Sequence, residues 1–574
     1  MVTASAPEVG PRYKWVALSN TTLGILMATL NTSIVIIAMP AIFRGIQLDP
    51  LQPANISYLL WMIMGFMVVT AVLVVSLGRL GDMVGRVRIY NAGFVVFSAA
   101  SIALALDPMQ HGSGALWLIL WRVVQGVGAA MLMASSTAIL TDAFPVHQRG
   151  LALGINSVAA IGGSFIGFII GGLLADVSWR SVFLVSVVFG VLGTIWAYVS
   201  LRELGVRKAA RIDWWGNATF AIGLTILLAA VTYGIQPYGD SPEGWANPMV
   251  WGGLLVGLAL LVVFCAIELR VPDPMFSLRL FRVRAFSAGN VANLLQAIAR
   301  GGLTFMLIIW LQGIWLPLHG YTYEETPLWA AIYMVPLTIG FLIAGPISGY
   351  LSDRFGARLF ATGGLVLVAL GFAGLLVVPT DFAYWQFAVI LFGIGTGSGL
   401  FSAPNTSGVM NAVPAGQRGQ AAGMRSTLQN SGMALSIGIF FSLLITGLAK
   451  ALPSSLHTGL TAQHVPTAVA GQVAGLPPVG SLFAAFLGYN PIAHLLGPAL
   501  GQVPPGNAAV LTGQQFFPHL VSGPFHAGLV VVFTTSIVLC LISALASALR
   551  GGHYVHTEPE ATKHEHRPAE QSSR

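Results

Sequence analysis

Charged residues are scarce in this chain, and their scarcity excludes a globular protein that is surrounded by water. Of the 574 residues, 8% are Asp, Glu, Lys or Arg, whereas 55% are hydrophobic. Soluble domains usually carry about 25% charged residues, and a chain with so few could not cover a water-facing surface. The solvent around most of this chain is therefore predicted to be lipid.

Cysteine and recognisable catalytic motifs are also nearly absent. The two cysteines, Cys265 and Cys540, lie within long apolar runs, so a disulfide framework is not expected. The sequence contains no nucleotide-binding loop and no cluster of metal ligands, and we therefore expect neither an enzyme nor a bound cofactor. The formal charge of +7 does not indicate nucleic-acid binding, because the basic residues lie in short segments between apolar runs.

Apolar runs long enough to cross a membrane recur along the whole chain. A spanning helix needs about 20 residues, and fourteen such runs occur between residues 16 and 549. The chain also contains 67 glycines, which allow spanning helices to approach one another closely. The composition thus predicts an all-α membrane protein with about fourteen transmembrane helices.

The distribution of Lys and Arg orients these predicted spans. If the N-terminus is cytoplasmic, only Arg44, Arg180 and Lys450 fall in outer segments, while Arg122 and Arg300 fall inside spans. The other basic residues lie in cytoplasmic segments, as the positive-inside rule requires. We therefore predict a multi-pass protein of the inner (plasma) membrane with both termini in the cytoplasm.

Two segments depart from the pattern of spans and short loops. Residues 451–522 are predicted to lie outside, lack Asp and Glu, and include the apolar stretch Val479–Leu487. We expect a mostly irregular outer cap, with a short amphipathic element on the outer leaflet as the alternative. Residues 551–574 are polar and rich in His, and we expect a disordered cytoplasmic tail.

Two related loops occur at corresponding places in the chain. The segment between predicted spans 2 and 3 reads GRLGDMVGRVR, and the segment after predicted span 10 reads GYLSDRFGAR. Glycines permit tight turns, and Asp and Arg side chains can stabilise the ends of neighbouring helices. We predict a gating loop rather than a charged turn that only orients the chain. Its residues are Gly78, Gly81, Asp82, Gly85, Arg86, Asp353 and Arg354.

These loops resemble the signature loop of the major facilitator superfamily, and two further motifs support the resemblance. Arg122 and Gln125 in predicted span 4 match the superfamily's motif for that span. Predicted span 5 is similar to the glycine-rich antiporter motif, although Phe168 stands where that motif has Pro. The matching glycines are Gly163, Gly167, Gly171 and Gly172. The chain most resembles the fourteen-span drug:proton antiporter branch.

The resemblance implies a division of the chain and a mode of action. Residues 1–205 and 285–550 would form two six-helix halves, residues 206–284 an inserted transmembrane pair, and residues 551–574 the tail. A substrate cavity would lie between the halves and open alternately to each side. The expected partners are membrane lipid and a small amphiphilic or lipid-like substrate, with protons as an uncertain coupling ion. We expect a monomer that binds no nucleic acid.

Predicted span 1 departs from the branch at a residue that matters for proton coupling. The branch has Asp where this chain has Asn31. A buried carboxyl group can have its pKa raised toward neutrality and can then load and release a proton, which an amide cannot do. None of the 20 acidic residues falls in the middle of a predicted span, so the coupling ion stays open.

Predicted span 9 carries a polar stripe that ends in an arginine. Asn293, Gln296 and Arg300 recur at helical spacing on one face. An arginine at the bilayer centre costs ~2.5–3.5 kcal/mol on insertion scales, so it needs a compensating role. We expect Arg300 to bind an anionic or strongly polar group, with an anchor to carbonyl groups beside Gly301 and Gly302 as the alternative. The predicted cavity residues are Asn31, Arg122, Gln125, Asn293, Gln296 and Arg300.

Three functions are compatible with these features. The expected function is export of amphiphilic small molecules, including drugs. An exporter or flippase of an anionic lipid or lipid-like metabolite is the alternative, which Arg300 and the missing mid-span acids favour. A membrane scaffold or sensor that transports nothing would predict decay of the gating loop, yet Asp82 and Arg86 are intact.

Overall fold

The computed structural model describes most of the chain as a bundle of helices. Within the described residues, fourteen helices are long and apolar enough to cross a membrane, as predicted. Helices suit this setting because each satisfies its own backbone hydrogen bonds in lipid. The tail predicted for residues 551–574 lies outside the described residues except for Gly551. The described residues are 12–49, 52–145, 148–204, 213–239, 241, 243–272, 274, 276–414, 417–475, 478–487 and 490–551.

We label the fourteen long helices α1–α14, so that their numbers agree with those of the predicted spans. Helix α9 continues through a π-helical turn, Leu311–Trp315, and α10 is preceded by the short helix Thr326–Tyr333. The helices are α1 Tyr13–Gly45, α2 Pro53–Val84, α3 Arg86–Ala105, α4 His111–Ala143, α5 Arg149–Val177, α6 Ser181–Ser200, α7 Trp214–Gly234, α8 Pro248–Glu268, α9 Arg284–Trp310, α10 Val335–Phe355, α11 Ala357–Val377, α12 Tyr384–Asn411, α13 Arg418–Ala462 and α14 Phe516–Ala548.

The helices pack into two halves with the same pattern of neighbours. In the N-terminal half, α1 packs on α5, α2 on α4, and α3 on both α4 and α6. In the C-terminal half, α9 packs on α13, α10 on α12, and α11 on both α12 and α14. Each helix of the first half therefore has a counterpart in the second with equivalent contacts, which is the arrangement of parallel repeats.

The glycines predicted in span 5 bring α5 against α1. A Cβ atom at Gly163 would lie 2.8 Å from the Leu26 carbonyl oxygen, and one at Gly167 would lie 2.5 Å from that of Leu30. Gly171 also packs on α1, whereas a Cβ atom at Gly172 would lie 2.6 Å from Leu328 Cα, just before α10. Small residues thus permit close contact both within a half and between the halves.

The inserted pair α7–α8 lies against both halves. Helix α7 packs on α2 and on α13, and its Thr232 hydroxyl donates to Met64 Sδ on α2 over 3.1 Å. After α7, Trp245 Nε1 donates to Ser442 Oγ on α13 over 2.6 Å. Helix α7 and the segment after it therefore lie along the seam between α2 and α13, and α8 packs on α7.

The segment 451–522 differs from the irregular cap that the sequence predicted. Helix α13 extends to Ala462, into the segment that the sequence predicts to be a mostly irregular cap. All described residues of the short helix Pro478–Phe486 are buried, and this helix packs on α2, α9, α13 and α14. Its apolar side chains find partners inside the protein, and so it does not lie on the outer leaflet. The other short helices are Thr467–Ala474, Ile492–Leu496 and Pro505–Thr512.

Candidate functional site

A cavity lies between the two halves of the bundle. It contains about 1160 Å³ of space free of protein atoms, counting its open mouth. Helices α1, α2 and α5 line one side, and helices α9–α13 line the other. Most of the lining is apolar, which is typical of sites for small organic molecules. The polar residues of the lining are Thr32, Ser33, Ser164, Gln296, Arg300, Thr304, Thr338 and Ser398.

Among the described residues that line this cavity, Arg300 is the only charged one. Its guanidinium carbon lies 5.1 Å from the centre of the Phe341 ring, a cation–π distance. None of the described side chains or carbonyl groups accepts a hydrogen bond from this guanidinium or pairs with its charge. The hydrogen bond from Thr304 Oγ1 goes to the Arg300 carbonyl oxygen instead.

The structure separates the three residues of the predicted stripe. Gln296 and Arg300 line the cavity, whereas Asn293 does not. Asn293 is buried one turn away, and its Nδ2 atom lies 3.4 Å from the carbonyl oxygen of Arg425 on α13. Only the C-terminal part of the stripe, Gln296 and Arg300, therefore faces the cavity. Asn293 contributes instead to the contact between α9 and α13.

The glycines after Arg300 serve the packing of α9 rather than an arginine anchor. A Cβ atom at Gly301 would lie 2.7 Å from Ser436 Oγ and 3.2 Å from Met433 Cα, both on α13. A Cβ atom at Gly302 would collide with the ring of Phe440. These glycines let α9 and α13 approach closely, and no described carbonyl beside them receives the Arg300 side chain.

The predicted residues Asn31, Arg122 and Gln125 lie outside the cavity lining, inside the N-terminal half. All three are buried. Arg122 Nη1 donates to Asn31 Oδ1 and, over 2.9 Å, to Gln125 Oε1. Arg122 Nε donates to the Met62 carbonyl oxygen over 3.3 Å. The guanidinium also lies 4.5 Å from the centre of the Phe66 ring.

Two serines complete this buried network. Asn31 Nδ2 donates to Ser186 Oγ on α6 over 3.0 Å, and Gln125 Nε2 donates to Ser101 Oγ on α3 over 2.8 Å. The network thus joins α1, α2, α3, α4 and α6 around one positive charge. Neutral groups accept the hydrogen bonds of the Arg122 guanidinium, so we assign this network a structural role.

The predicted gating loop is built around Arg86, which begins α3. Its guanidinium pairs with Asp82 over 2.8 Å and with Asp142, near the end of α4, over 2.6 Å. The backbone N–H groups of Arg86 and Val87 donate to the carboxylate of Glu203 over 2.9 and 3.1 Å. Glu203 therefore caps α3, although the sequence analysis did not single it out.

Two glycines with positive φ join helices at equivalent places in the two halves. Gly85, with φ 127°, links α2 to α3, and Gly356, with φ 86°, links α10 to α11. Only glycine adopts such angles without strain. In the second copy, Arg354 lies over the Tyr350 ring at 5.0 Å, and the side chain of Asp353 lies outside the described residues. Gly78 of the first copy faces α4, and Gly81 lies against both α3 and α4.

The halves touch at both ends of the cavity. At the end that carries Arg86, which we call the basic end, Arg79 of α2 and Gln420 of α13 each donate to the Pro274 carbonyl oxygen over 2.8 Å. At the opposite end, Gln312 Nε2 lies 3.4 Å from the Ile37 carbonyl oxygen. Arg44 and Glu324 form an exposed ion pair of 3.9 Å at that end.

The short helix Pro478–Phe486 covers the cavity at the opposite end. Phe305, which lines the cavity, has its ring centre 5.7 Å from that of Phe486 and 4.8 Å from that of Phe441. Phe441 in turn stacks on Phe483 at 5.3 Å. An aromatic cluster therefore joins the cavity wall to the segment 451–522, which supplies Phe483 and Phe486.

Comparisons with known proteins agree with this architecture. Residues 21–437 match the family described as the Major Facilitator Superfamily. The chain is 30% identical to the methyl viologen resistance protein SmvA of Salmonella typhimurium over 79% of this chain and 87% of that protein. It is 30% identical to the multidrug resistance protein Stp of Mycobacterium tuberculosis over 78% and 79% of the two chains.

A transporter named for a different substrate is also similar to this chain, and solved structures share its fold. The riboflavin transporter RibZ of Clostridioides difficile is 26% identical over 78% of this chain and 92% of that protein. A bacterial homologue of the human lysosomal transporter Spinster, in an inward-facing and unoccupied conformation, superposes with a TM-score of 0.55 at 16% identity. That match covers 94% of this chain and 98% of the other, and it concerns the fold alone.

Proposed function

The chain belongs to the Major Facilitator Superfamily and is a multi-pass membrane transporter, and we propose that it exports amphiphilic small molecules across the inner membrane by alternating access. SmvA and Stp are named as resistance proteins, which supports export of foreign compounds. The name of RibZ shows that this set of relatives is not restricted to one class of substrate. The substrate class must therefore be argued from the cavity of this chain.

The observation that carries the proposal is the composition of the cavity between the halves. Its walls are mainly apolar and include the rings of Phe165, Phe168, Phe305, Phe341 and Phe372. A few hydroxyl groups, Gln296 and Arg300 supply polar contacts. Such a surface suits a molecule with an apolar body and a small polar group, because each part finds a matching partner.

The contacts between the halves suit a cycle in which the cavity faces one side at a time. Rocking of the halves would break the contacts at one end and keep those at the other. At the basic end, the bonds of Arg79 and Gln420 to Pro274 would break. At the opposite end, the helix Pro478–Phe486 would have to part from α2, since it packs on both halves.

We assign the gating role to the loop around Arg86 on the basis of its charge pairs. Arg86 holds the end of α2 to the end of α4 through Asp82 and Asp142. These pairs lie within the N-terminal half, so they would keep its basic end rigid while Arg79, near the end of α2, contacts Pro274. Asp82→Asn should slow cycling while the protein stays folded.

Proton coupling through a cavity carboxylate does not form part of the proposal. None of the described residues that line the cavity is acidic, and Asn31 bonds to Arg122 and Ser186 instead of titrating. Transport that strictly requires a pH gradient would place the proton-carrying group elsewhere in the chain. The orientation with both termini in the cytoplasm remains part of the proposal.

The proposal can be tested in proteoliposomes that contain the purified protein. Pyrene-labelled amphiphiles with anionic, neutral and cationic head groups would be offered with and without a pH gradient. Thr338→Trp places a bulky ring in the cavity wall and should abolish transport. Val377→Trp adds the same ring at an exposed helix end and is the matched control. Failure of every probe, or equal rates in the two variants, would contradict transport through this cavity.

Export of an anionic lipid or lipid-like metabolite is the second candidate. Arg300 is the specific observation that favours it, because a single positive charge in an apolar chamber suits an amphiphile with a negative head group. Flipping of a fluorescent anionic phospholipid in the same proteoliposomes would support this candidate. Transport of the soluble probes without lipid flipping would support the first.

A further inference from the structure

Arg300 stands in a cavity that provides no negative charge among its described residues. Placing an arginine in the centre of a membrane is costly, and proteins normally compensate it with a carboxylate or with several hydrogen-bond acceptors. The ring of Phe341 is the contact that the structure shows for its charge. A cation–π contact replaces only part of the hydration that the guanidinium loses.

The chain shows elsewhere how it satisfies a buried arginine without an acid. Arg122 receives acceptors from Asn31, Gln125 and a backbone carbonyl. Arg300 has comparable groups nearby, because Gln296 lies one turn away on the same helix and also lines the cavity. Its guanidinium is nevertheless free of described acceptors, so its N–H donors remain available to a molecule inside the cavity.

The position of Phe341 restricts how such a molecule can approach. The ring covers one face of the guanidinium at 5.1 Å, and the N–H donors point outward in the plane of the group. A carboxylate, phosphate or sulfate can accept two of these donors in parallel. The rings of Phe305 and Phe372, also in the lining, would contact the apolar body of the same molecule.

We propose that Arg300 binds an anionic group of the transported molecule, so that the protein selects amphiphiles with one acidic group and rejects permanent cations. This inference rests on the proposed function, since it names the substrate class of the same cavity. A cation in the cavity would meet the positive charge of Arg300 without a carboxylate to offset it. A neutral amphiphile would leave the charge of the guanidinium uncompensated.

Three probes with one body separate these cases. Pyrenebutyrate, pyrenebutanamide and a pyrenebutyl-trimethylammonium salt share the pyrene ring and differ in the charge of the end group. Their binding to the full-length protein in phosphatidylcholine nanodiscs can be measured by energy transfer from tryptophan to pyrene. We expect the carboxylate to bind roughly 10- to 100-fold more tightly than the amide, as hydrogen bonds to charged groups allow, and the ammonium salt most weakly.

Variants of Arg300 and a matched control show which residue makes the selection. Arg300→Gln should bring the carboxylate and the amide to equal affinity, while Arg300→Lys should keep part of the preference. Arg270→Gln removes the same charge from an exposed position after α8 and should change neither affinity. Size-exclusion profiles of the purified variants check that each is folded.

The outcomes distinguish this inference from the proposed function. Equal binding of the carboxylate and the amide by the unmodified protein, or a preference that survives Arg300→Gln, would overturn the anion site and leave transport of amphiphiles intact. Binding of none of the probes would count against both. A further experiment uses nanodiscs that contain phosphatidylglycerol. If this lipid competes with pyrenebutyrate in the unmodified protein but not in Arg300→Gln, the site is supported and a lipid head group is identified as its ligand.

Discussion

Two arginines within the spans, Arg122 in the N-terminal half and Arg300 in the C-terminal half, have opposite surroundings. In the N-terminal half, Arg122 is surrounded by acceptors from neighbouring helices and lies outside the cavity. In the C-terminal half, Arg300 faces the cavity with an aromatic ring as its described contact. The difference indicates that an arginine in a membrane span has a structural role where the protein supplies hydrogen-bond acceptors for its guanidinium. Where the protein supplies none, the guanidinium is available to bind a ligand.

The same contrast holds at the loops of the two repeats. A Cβ atom at Gly85 would meet Glu203, which caps α3, whereas a Cβ atom at Gly356 would meet no described atom within 4 Å beyond its chain neighbours. Among the described residues, Arg122 and Gly85 thus have polar neighbours that Arg300 and Gly356 lack. This agrees with the proposal that the C-terminal half, through Arg300, carries the group that recognises substrate.

The largest expected effect comes from removing Arg122. Arg122→Ala would leave the side chains of Asn31 and Gln125 without their buried donor, at a cost of about 3 kcal/mol. Arg300→Ala should cost about 1 kcal/mol or less, because it loses mainly a cation–π contact. Thermal unfolding of the purified variants in one detergent measures both. A larger loss at Arg300 than at Arg122 would reverse the comparison.

The next largest effect should come from the loop glycines. Gly85→Ala puts a side chain at φ 127° and 2.6 Å from Glu203 Oε2, so that strain of ~1–3 kcal/mol adds to displacement of the α3 cap. Gly356→Ala, at φ 86°, meets no described atom within 4 Å and is the matched control. Transport rates and unfolding temperatures should fall further for Gly85→Ala. Equal losses of transport rate and unfolding temperature in the two variants would mean that the contact with Glu203 does not contribute to the effect of Gly85→Ala.

A smaller effect is expected when Arg300 receives an acceptor of its own. Gln296→Glu places a carboxylate one helical turn away, where residues four apart meet on a helix. The new pair should occupy the guanidinium and weaken binding of pyrenebutyrate roughly 10-fold, while the amide probe is unaffected. Unchanged carboxylate binding in this variant would indicate that the anionic group binds elsewhere.

The smallest effect should follow from restoring the acid in α1. Asn31→Asp gives Arg122 a counter-charge, and the Ser186 hydroxyl can donate to the new carboxylate in place of the bond it now accepts. We expect the unfolding temperature to stay equal to that of the unmodified protein or to rise slightly. A marked fall would show that the network depends on the amide rather than on the positive charge.

Much of the fold could be predicted from the sequence, because length and apolarity define a spanning helix. The fourteen helices were predicted in number, and so was membership of the superfamily, from the loop motifs. The structure of segment 451–522 could not be predicted, since its many Pro and Gly residues are typical of loops. Its helix Pro478–Phe486 owes its form to burial among four long helices, which composition does not reveal.

The candidate site was harder to predict because it depends on the rotation of each helix about its axis. Helical spacing indicated that Gln296 and Arg300 share a face, and both line the cavity. The same reasoning could not show that Asn31, Arg122 and Gln125 turn toward one another inside the N-terminal half. Glu203 lies in a short segment with no motif, and only its contact with the start of α3 identifies it.

The most direct test of the difference between the two arginines is a cryo-electron microscopy map of the protein with bound pyrenebutyrate. We predict that the carboxylate lies within hydrogen-bond distance of the Arg300 guanidinium, about 3 Å between heavy atoms, with the pyrene ring among the aromatic residues of the cavity. The N-terminal network should be unchanged. A probe bound beside Arg122, or one whose carboxylate points away from Arg300, would contradict the account.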